Sequence, residues 1–108
     1  MPSYPLPDKI NNLFLVSRSP FQRPEALLDV ELAENGDAVC FIQDGVYAAH
    51  KVPDALRAEI ESARARGVKF FALTEDLEAR GLSSAAGFQE IDYNGLVGLI
   101  LESTRVIS

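Results

Sequence analysis

Short apolar runs of strand-forming residues, at 13–16, 38–42 and 68–73, are each followed by a segment of helical spacing, and no other feature of the chain constrains its fold as strongly. A helix between two strands returns the chain to the starting edge of the sheet, so such strands pair in parallel through right-handed crossovers. The run Ala38-Val39-Cys40-Phe41-Ile42 is too short for a typical helix and apolar on both faces, as expected of a strand covered on both sides. Weaker runs at 88–91 and 104–107 complete the set. The expected fold is α/β: a small three-layer αβα sandwich with a mostly parallel sheet of about five strands.

The helical segments carry their own start and stop signals. Between residues 25 and 34, Ala26, Leu28, Val30, Leu32 and Ala33 gather on one side of a helix, with Pro24 suited to its first turn and Asn35-Gly36 to its end. Residues 46–50 suit a short helical segment. Residues 53–66 suit a longer helix with Leu56, Ile60 and Ala63 on one stripe and Gly67 beyond it. Its other face, with Arg57, Glu61 and Arg64, reads as solvated ion pairs. Thr74 is expected to cap a short helix ended by Gly81, and Asp92 to cap a final helix. That final helix holds Leu96, Val97, Leu99, Ile100 and Leu101, more apolar surface than one side of a helix buries in a monomer. Residues 1–12, with three prolines, read as a loose N-terminal extension, leaving 13–108 as one domain.

Composition removes several function classes. At 108 residues the chain can bury a core without metal or disulfide staples. A formal net charge of −6 opposes binding to a phosphate backbone, so no direct contact with nucleic acid is expected. The single cysteine cannot form an internal disulfide, and no Cys/His cluster offers the ligands of a structural zinc, so neither metal nor cofactor is expected and a reducing cytoplasm fits. No apolar stretch has the length of a membrane helix or signal peptide. Neither GxGxxG after the first strand nor GxxxxGK[ST] anywhere is present, so a nucleotide site is not supported.

Ligands of open α/β sheets sit beyond the carboxyl ends of the strands, which places Ser17, Asp44, Thr74 and Asp92 in a candidate polar site. Three of these, Asp44, Thr74 and Asp92, also stand where a helix start needs an acceptor, and capping alone accounts for them. Cys40 is the one side chain with obvious nucleophilic potential, yet its apolar strand predicts a buried, unreactive thiol. His50 has no cysteine near it in sequence and reads as an exposed bystander. Glu31, Glu34 and Asp37 read as a solvated acidic face. These residues alone form no complete catalytic constellation.

Several motifs together carry a family resemblance. Ser19-Pro20-Phe21, then QDGVYAA at 43–49, EDLEARG at 75–81 and Ile91-Asp92-Tyr93 occur in this order, and the chain from about Leu13 to Ile107 resembles the DsrH/TusB family. The resemblance implies a DsrEFH-like fold and a non-catalytic subunit of a cytoplasmic sulfur-relay complex of the TusBCD/DsrEFH type. The implied partners are DsrE/TusD-like and DsrF/TusC-like subunits and a TusE/DsrC-like carrier of persulfide sulfur. The sulfur is implied to end in tRNA wobble 2-thiouridine in the TusB branch or to belong to sulfur oxidation in the DsrH branch. The principal sulfur-accepting cysteine is implied to sit on a sibling subunit. Where DsrH-type members carry a cysteine in the first helix, counting from Ser19-Pro20-Phe21 gives Asp29, which cannot hold a persulfide, so no catalytic residue is carried over. Two other readings stand beside this one: a persulfide carrier that uses Cys40, and a homo-oligomeric small-molecule-binding module that uses Ser17, Asp44 and Thr74.

Overall fold

Strand pairing follows the alternation of the sequence. The computed structural model describes residues 9–19 and 25–108. In chain order the elements are β1 (Ile10–Val16), α1 (Glu25–Leu32), β2 (Ala38–Phe41), a 3-10 turn (Gln43–Gly45), α2 (Val46–His50), α3 (Asp54–Ala65), β3 (Lys69–Leu73), α4 (Thr74–Ala79), β4 (Gln89–Ile91), α5 (Tyr93–Glu102) and β5 (Ser103–Ile107). Among the described residues the strands form one sheet in the order β4-β3-β2-β1-β5, and all four pairings are parallel. Residues 1–8, Pro24 and the side chains of Ala26 and Leu28 lie outside the described residues.

This order explains the layers. From β1 to β4 the chain steps across the sheet in one direction, and right-handed crossovers then put every connecting helix on one face. There Val30 of α1 and Ala33 just beyond it, Val46, Ala48 and Ala49 of α2, Leu56, Ile60 and Ala63 of α3 and Leu77 of α4 close over Phe14, Val16, Val39, Phe41, Phe70 and Ala72. The last step returns across the whole sheet from β4 to β5, so α5 lies on the opposite face. Leu99 and the half-buried Leu96 of α5 pack there against a second cluster of Ile10, Leu13, Ala38, Cys40, Phe71 and Ile91. Among the described residues, one helix of 10 residues thus covers a face of five strands.

β1 begins at Ile10, three residues ahead of the expected start at Leu13. Ile10 is 1% exposed and pairs with Ser103, so tertiary pairing extends the strand into Asn11 and Asn12, whose own pattern carries no strand signal. Leu32 departs from the expected buried stripe at 69% exposure, because it points away from the side of α1 that carries Val30. Asp37 departs further. It is 6% exposed rather than solvated, and its carboxylate accepts from the Asn12 backbone N–H (3.0 Å), Asn12 Nδ2 (3.2 Å) and the Glu34 N–H (2.9 Å). Those bonds fasten the end of α1 to β1.

Two long-range contacts fix how the helices meet the sheet. Arg66, at the end of α3, donates from Nη2 to the Val30 carbonyl (3.1 Å) and the Ala33 carbonyl (2.9 Å). A cation from a neighbouring helix thus satisfies the free carbonyls of α1, whose last turn has no basic residue of its own. Gly45 lies where any Cβ would stand 2.0 Å from the Val16 carbonyl oxygen, which already accepts the Ile42 N–H (2.9 Å). Only glycine lets the turn after β2 close this tightly on the end of β1.

Candidate functional site

The four polar residues expected at the strand ends all lie at the carboxyl edge of the sheet. Asp92, Thr74, Asp44 and Ser17 follow β4, β3, β2 and β1, so their order along the edge is the strand order. Neighbouring strands are about 4.8 Å apart, which stretches the four positions over about 14 Å as a row rather than a convergent pocket.

Their local roles differ. Asp92 is the N-cap of α5 and accepts the Gly95 N–H at 2.8 Å. Thr74 does not cap α4: β3 runs straight into the helix, so Leu73 holds the extended N-cap position and Thr74 is already helical. Asp44 does not cap either. It lies inside the 3-10 turn, and its Oδ1 accepts from Arg80 Nη2 (3.0 Å) and Nε (3.2 Å). Ser17 is half-buried just beyond β1.

The chemistry of this edge belongs mainly to residues of the 75–81 motif that were not singled out as site residues. Asp76 Oδ2 accepts the Gln43 N–H at 2.6 Å, and Gln43 is the one non-glycine residue among those described with a positive φ, at 50°. Arg80 reaches both Asp44 and, at 3.7 Å, Asp76 Oδ1. Glu75 Oε2 accepts the Tyr93 N–H at 3.1 Å. Side chains of α4 therefore tie together the turns that follow β2 and β4. The signal in the sequence was the i, i+4 spacing of Asp76 and Arg80, but their partners lie 33 and 36 residues from them and carry no local mark.

Cys40 is 0% exposed, at the centre of the second apolar cluster and in register with Leu15 and Phe71. Burial, and secondarily the charge of Asp76, pushes its pKa up from 9.0 to about 12. Sulfur acceptance needs a thiolate that a donor can reach, and this site provides neither. His50 is exposed at the end of α2, with Nδ1 2.7 Å from the Ser83 carbonyl. Among the described residues no group of three or more His, Cys, Asp or Glu could hold a metal ion, and no helix is long and apolar enough to cross a membrane.

The surface of α5 completes the picture. Its inner side seats Leu96 and Leu99, whereas Tyr93 (54% exposed), Val97 (54%), Ile100 (39%) and Leu101 (77%) face outward. Four large apolar side chains on one short helix are more than scattered exposure accounts for.

Comparison with known proteins fits this architecture and these motifs. Residues 18–106 match the family described as DsrH like protein. The chain belongs to the DsrH family. Relatives in that group include Protein TusB of Photorhabdus laumondii, 39% identical over 92 residues, covering 83% of this chain and 92% of the relative. Protein TusB of Escherichia fergusonii is 38% identical over 98 residues, covering 89% and 98%. Two solved structures share the fold: the ychN protein from E. coli, with a TM-score of 0.68, 15% identity and coverage of 91% and 97%, and protein Tm0979 from Thermotoga maritima, with 0.59, 24%, 83% and 91%. In this DsrH-family chain Asp29 lies half-buried on α1.

Proposed function

We propose that this DsrH-family chain is a non-catalytic subunit of a cytoplasmic sulfur-relay complex of the TusBCD/DsrEFH type. Family membership supports a role in sulfur relay. The observation that carries the non-catalytic reading is the placement of the chain's single cysteine inside a closed apolar cluster, 0% exposed. A relay subunit without a reachable thiol acts through the surfaces it supplies. The outer side of α5, from Tyr93 to Leu101, is the face offered to a DsrE/TusD-like or DsrF/TusC-like sibling. Burying it there returns the hydrophobic free energy that a lone chain forgoes, roughly 25 cal/mol per Å². The assembled surface then receives a TusE/DsrC-like carrier, and since the relatives are named TusB, the sulfur is proposed to go where the TusB branch of the resemblance implies, to tRNA 2-thiouridine.

Co-expression with the two sibling subunits tests this reading. The expected result is one complex that contains all three chains, with Cys40→Ala passing persulfide sulfur to the carrier as fast as the unaltered complex. A chain that stays monomeric beside its siblings, or a Cys40→Ala complex that assembles but no longer transfers sulfur, overturns it.

A further inference from the structure

A cavity of about 370 Å³ opens on the other side of the molecule from α5, between the end of α2, the outer side of α3 and the loop that leads into β4. In a chain of net charge −6, its lining is locally reversed. Lys51, Arg57, Arg64 and the chain's one histidine, His50, face a single carboxylate, Glu61. The rest of the wall is apolar, with Phe88 and Ile60 its largest members.

The cationic side is held in place. The Arg64 guanidinium carbon sits 5.4 Å from the Phe70 ring centroid and 5.3 Å from that of Phe88, fixed by the two ring faces. The loop closes on it at Gly87, where φ is +92° and a Cβ would fall 2.4 Å from Arg64 Nη2. That loop is anchored to α2 by the bond from the Ala85 N–H to the Ala49 carbonyl at 2.7 Å. At the rim, the Ser83 carbonyl can only accept, so His50 carries its hydrogen on Nδ1 and leaves Nε2 free.

The anions that meet these arginines are exposed and loosely held. Arg64 Nη2 is buried against the loop, and elsewhere on the guanidinium the ion pair among the described residues is a loose one, with the 70% exposed Glu61 side chain at 3.8 Å from Nη1. Arg57 pairs with Asp54 at 3.3 Å, but their side chains are 62% and 95% exposed, so that pair is weak and readily exchanged for another anion.

We propose that this cavity binds a small organic anion. Its carboxylate or oxyanion lies among Arg57, Arg64 and Lys51, and its apolar body rests on Phe88 and Ile60. The volume is at the small end of ligand clefts and suits a body the size of one aromatic ring. This site is independent of the sulfur-relay reading, since it lies on neither α5 nor Cys40.

Sodium benzoate, titrated into the full-length ¹⁵N-labelled chain at constant ionic strength, is the direct probe, with neutral benzamide as its isostere. The expected result is saturable shifts at the Ala85, Ala86 and Phe88 amides and at Arg64 Nε with Kd near about 1 mM, and benzamide weaker by about tenfold or more, the loss of a charge-assisted pair. Sodium sulfate separates the contributions: binding weaker than benzoate is expected, because it lacks the apolar body. Arg64→Gln can loosen the loop, so Arg57→Gln and Lys51→Gln, both at exposed positions, provide the second arm. The double variant is expected to keep its melting temperature and lose most of the benzoate affinity. Equal shifts with benzamide, sulfate binding as tight as benzoate, shifts spread away from the cavity, no saturable shift, or unchanged affinity in the double variant each overturn the proposal.

Discussion

Two leucines on α5, two positions apart, separate folding from assembly. Leu99 is 0% exposed, in the cluster beneath the helix, whereas Leu101 is 77% exposed. Leu99→Ala removes buried methyl groups and leaves a cavity under α5, at a cost of about 3 kcal/mol. For a domain of this size that lowers the melting temperature by more than about 10 °C. Leu101→Glu alters a solvated position and is expected to change the stability of the isolated chain by no more than about 0.5 kcal/mol. In the complex the order reverses. Burying Leu101 against a sibling is worth about 2 kcal/mol, and replacing it with an unpaired buried carboxylate adds at least as much again. Together these, about 4 kcal/mol or more, weaken association by a factor on the order of 1,000. Thermal unfolding of the isolated variants and size-exclusion chromatography with co-expressed siblings measure the two effects separately. Undiminished assembly of Leu101→Glu, or equal thermal losses for the two variants, refutes the assignment of this face.

Other expectations concern the core and its edge. Gly45→Ala forces a Cβ to within 2.0 Å of the Val16 oxygen and is expected to cost about 3 kcal/mol or more, whereas Gly81→Ala, with nothing within 4 Å but φ of +65°, costs only about 1 kcal/mol; denaturant titration compares them. Asp37→Ala strips the acceptor from Asn12 and Glu34, with an expected loss of about 2–4 kcal/mol in the same assay. Cys40 adds an alkaline limit. Above about pH 9 the unfolded chain gives up its thiol proton while the folded chain keeps it until about 12, so this contribution is complete below pH 9 and declines as pH rises. The unaltered chain is expected to lose up to about 1.4 kcal/mol per pH unit relative to Cys40→Ala in that window, and parallel stability profiles for the two refute it.

What could be read in the sequence was whatever local pattern determines. The runs that became β2 and β3 are apolar at nearly every position, and the buried fate of Cys40 follows from Val39 and Phe41 beside it. Asp92 was legible as a cap because its acceptor role is completed three residues later, at Gly95. Asp37 was not legible: it follows Glu31 and Glu34 like another surface acid, but Asn12, 25 residues away, turns it into an internal acceptor. Thr74 misled because the strand and helix meet without a linker, and a cap needs one extended residue between them. Arg64 has the spacing of a solvated partner for Glu61, yet a loop from beyond α4 folds Phe88 beneath it and closes Gly87 against it. The sheet order itself shows why α5 is exposed, since among the described residues the return from β4 to β5 leaves it alone on its face.

Whether this chain carries sulfur or only supports its transfer is decided most directly at Cys40. Intact mass spectrometry after exposure of the native chain to a persulfide donor and then a thiol alkylator, with an unfolded sample alongside, reads it in one measurement. A 0% exposed thiol with its pKa pushed up to about 12 predicts no added sulfur and no label in the folded chain, and full labelling once it is unfolded. Sulfur or label on Cys40 in the folded chain contradicts the non-catalytic role and makes this subunit a carrier.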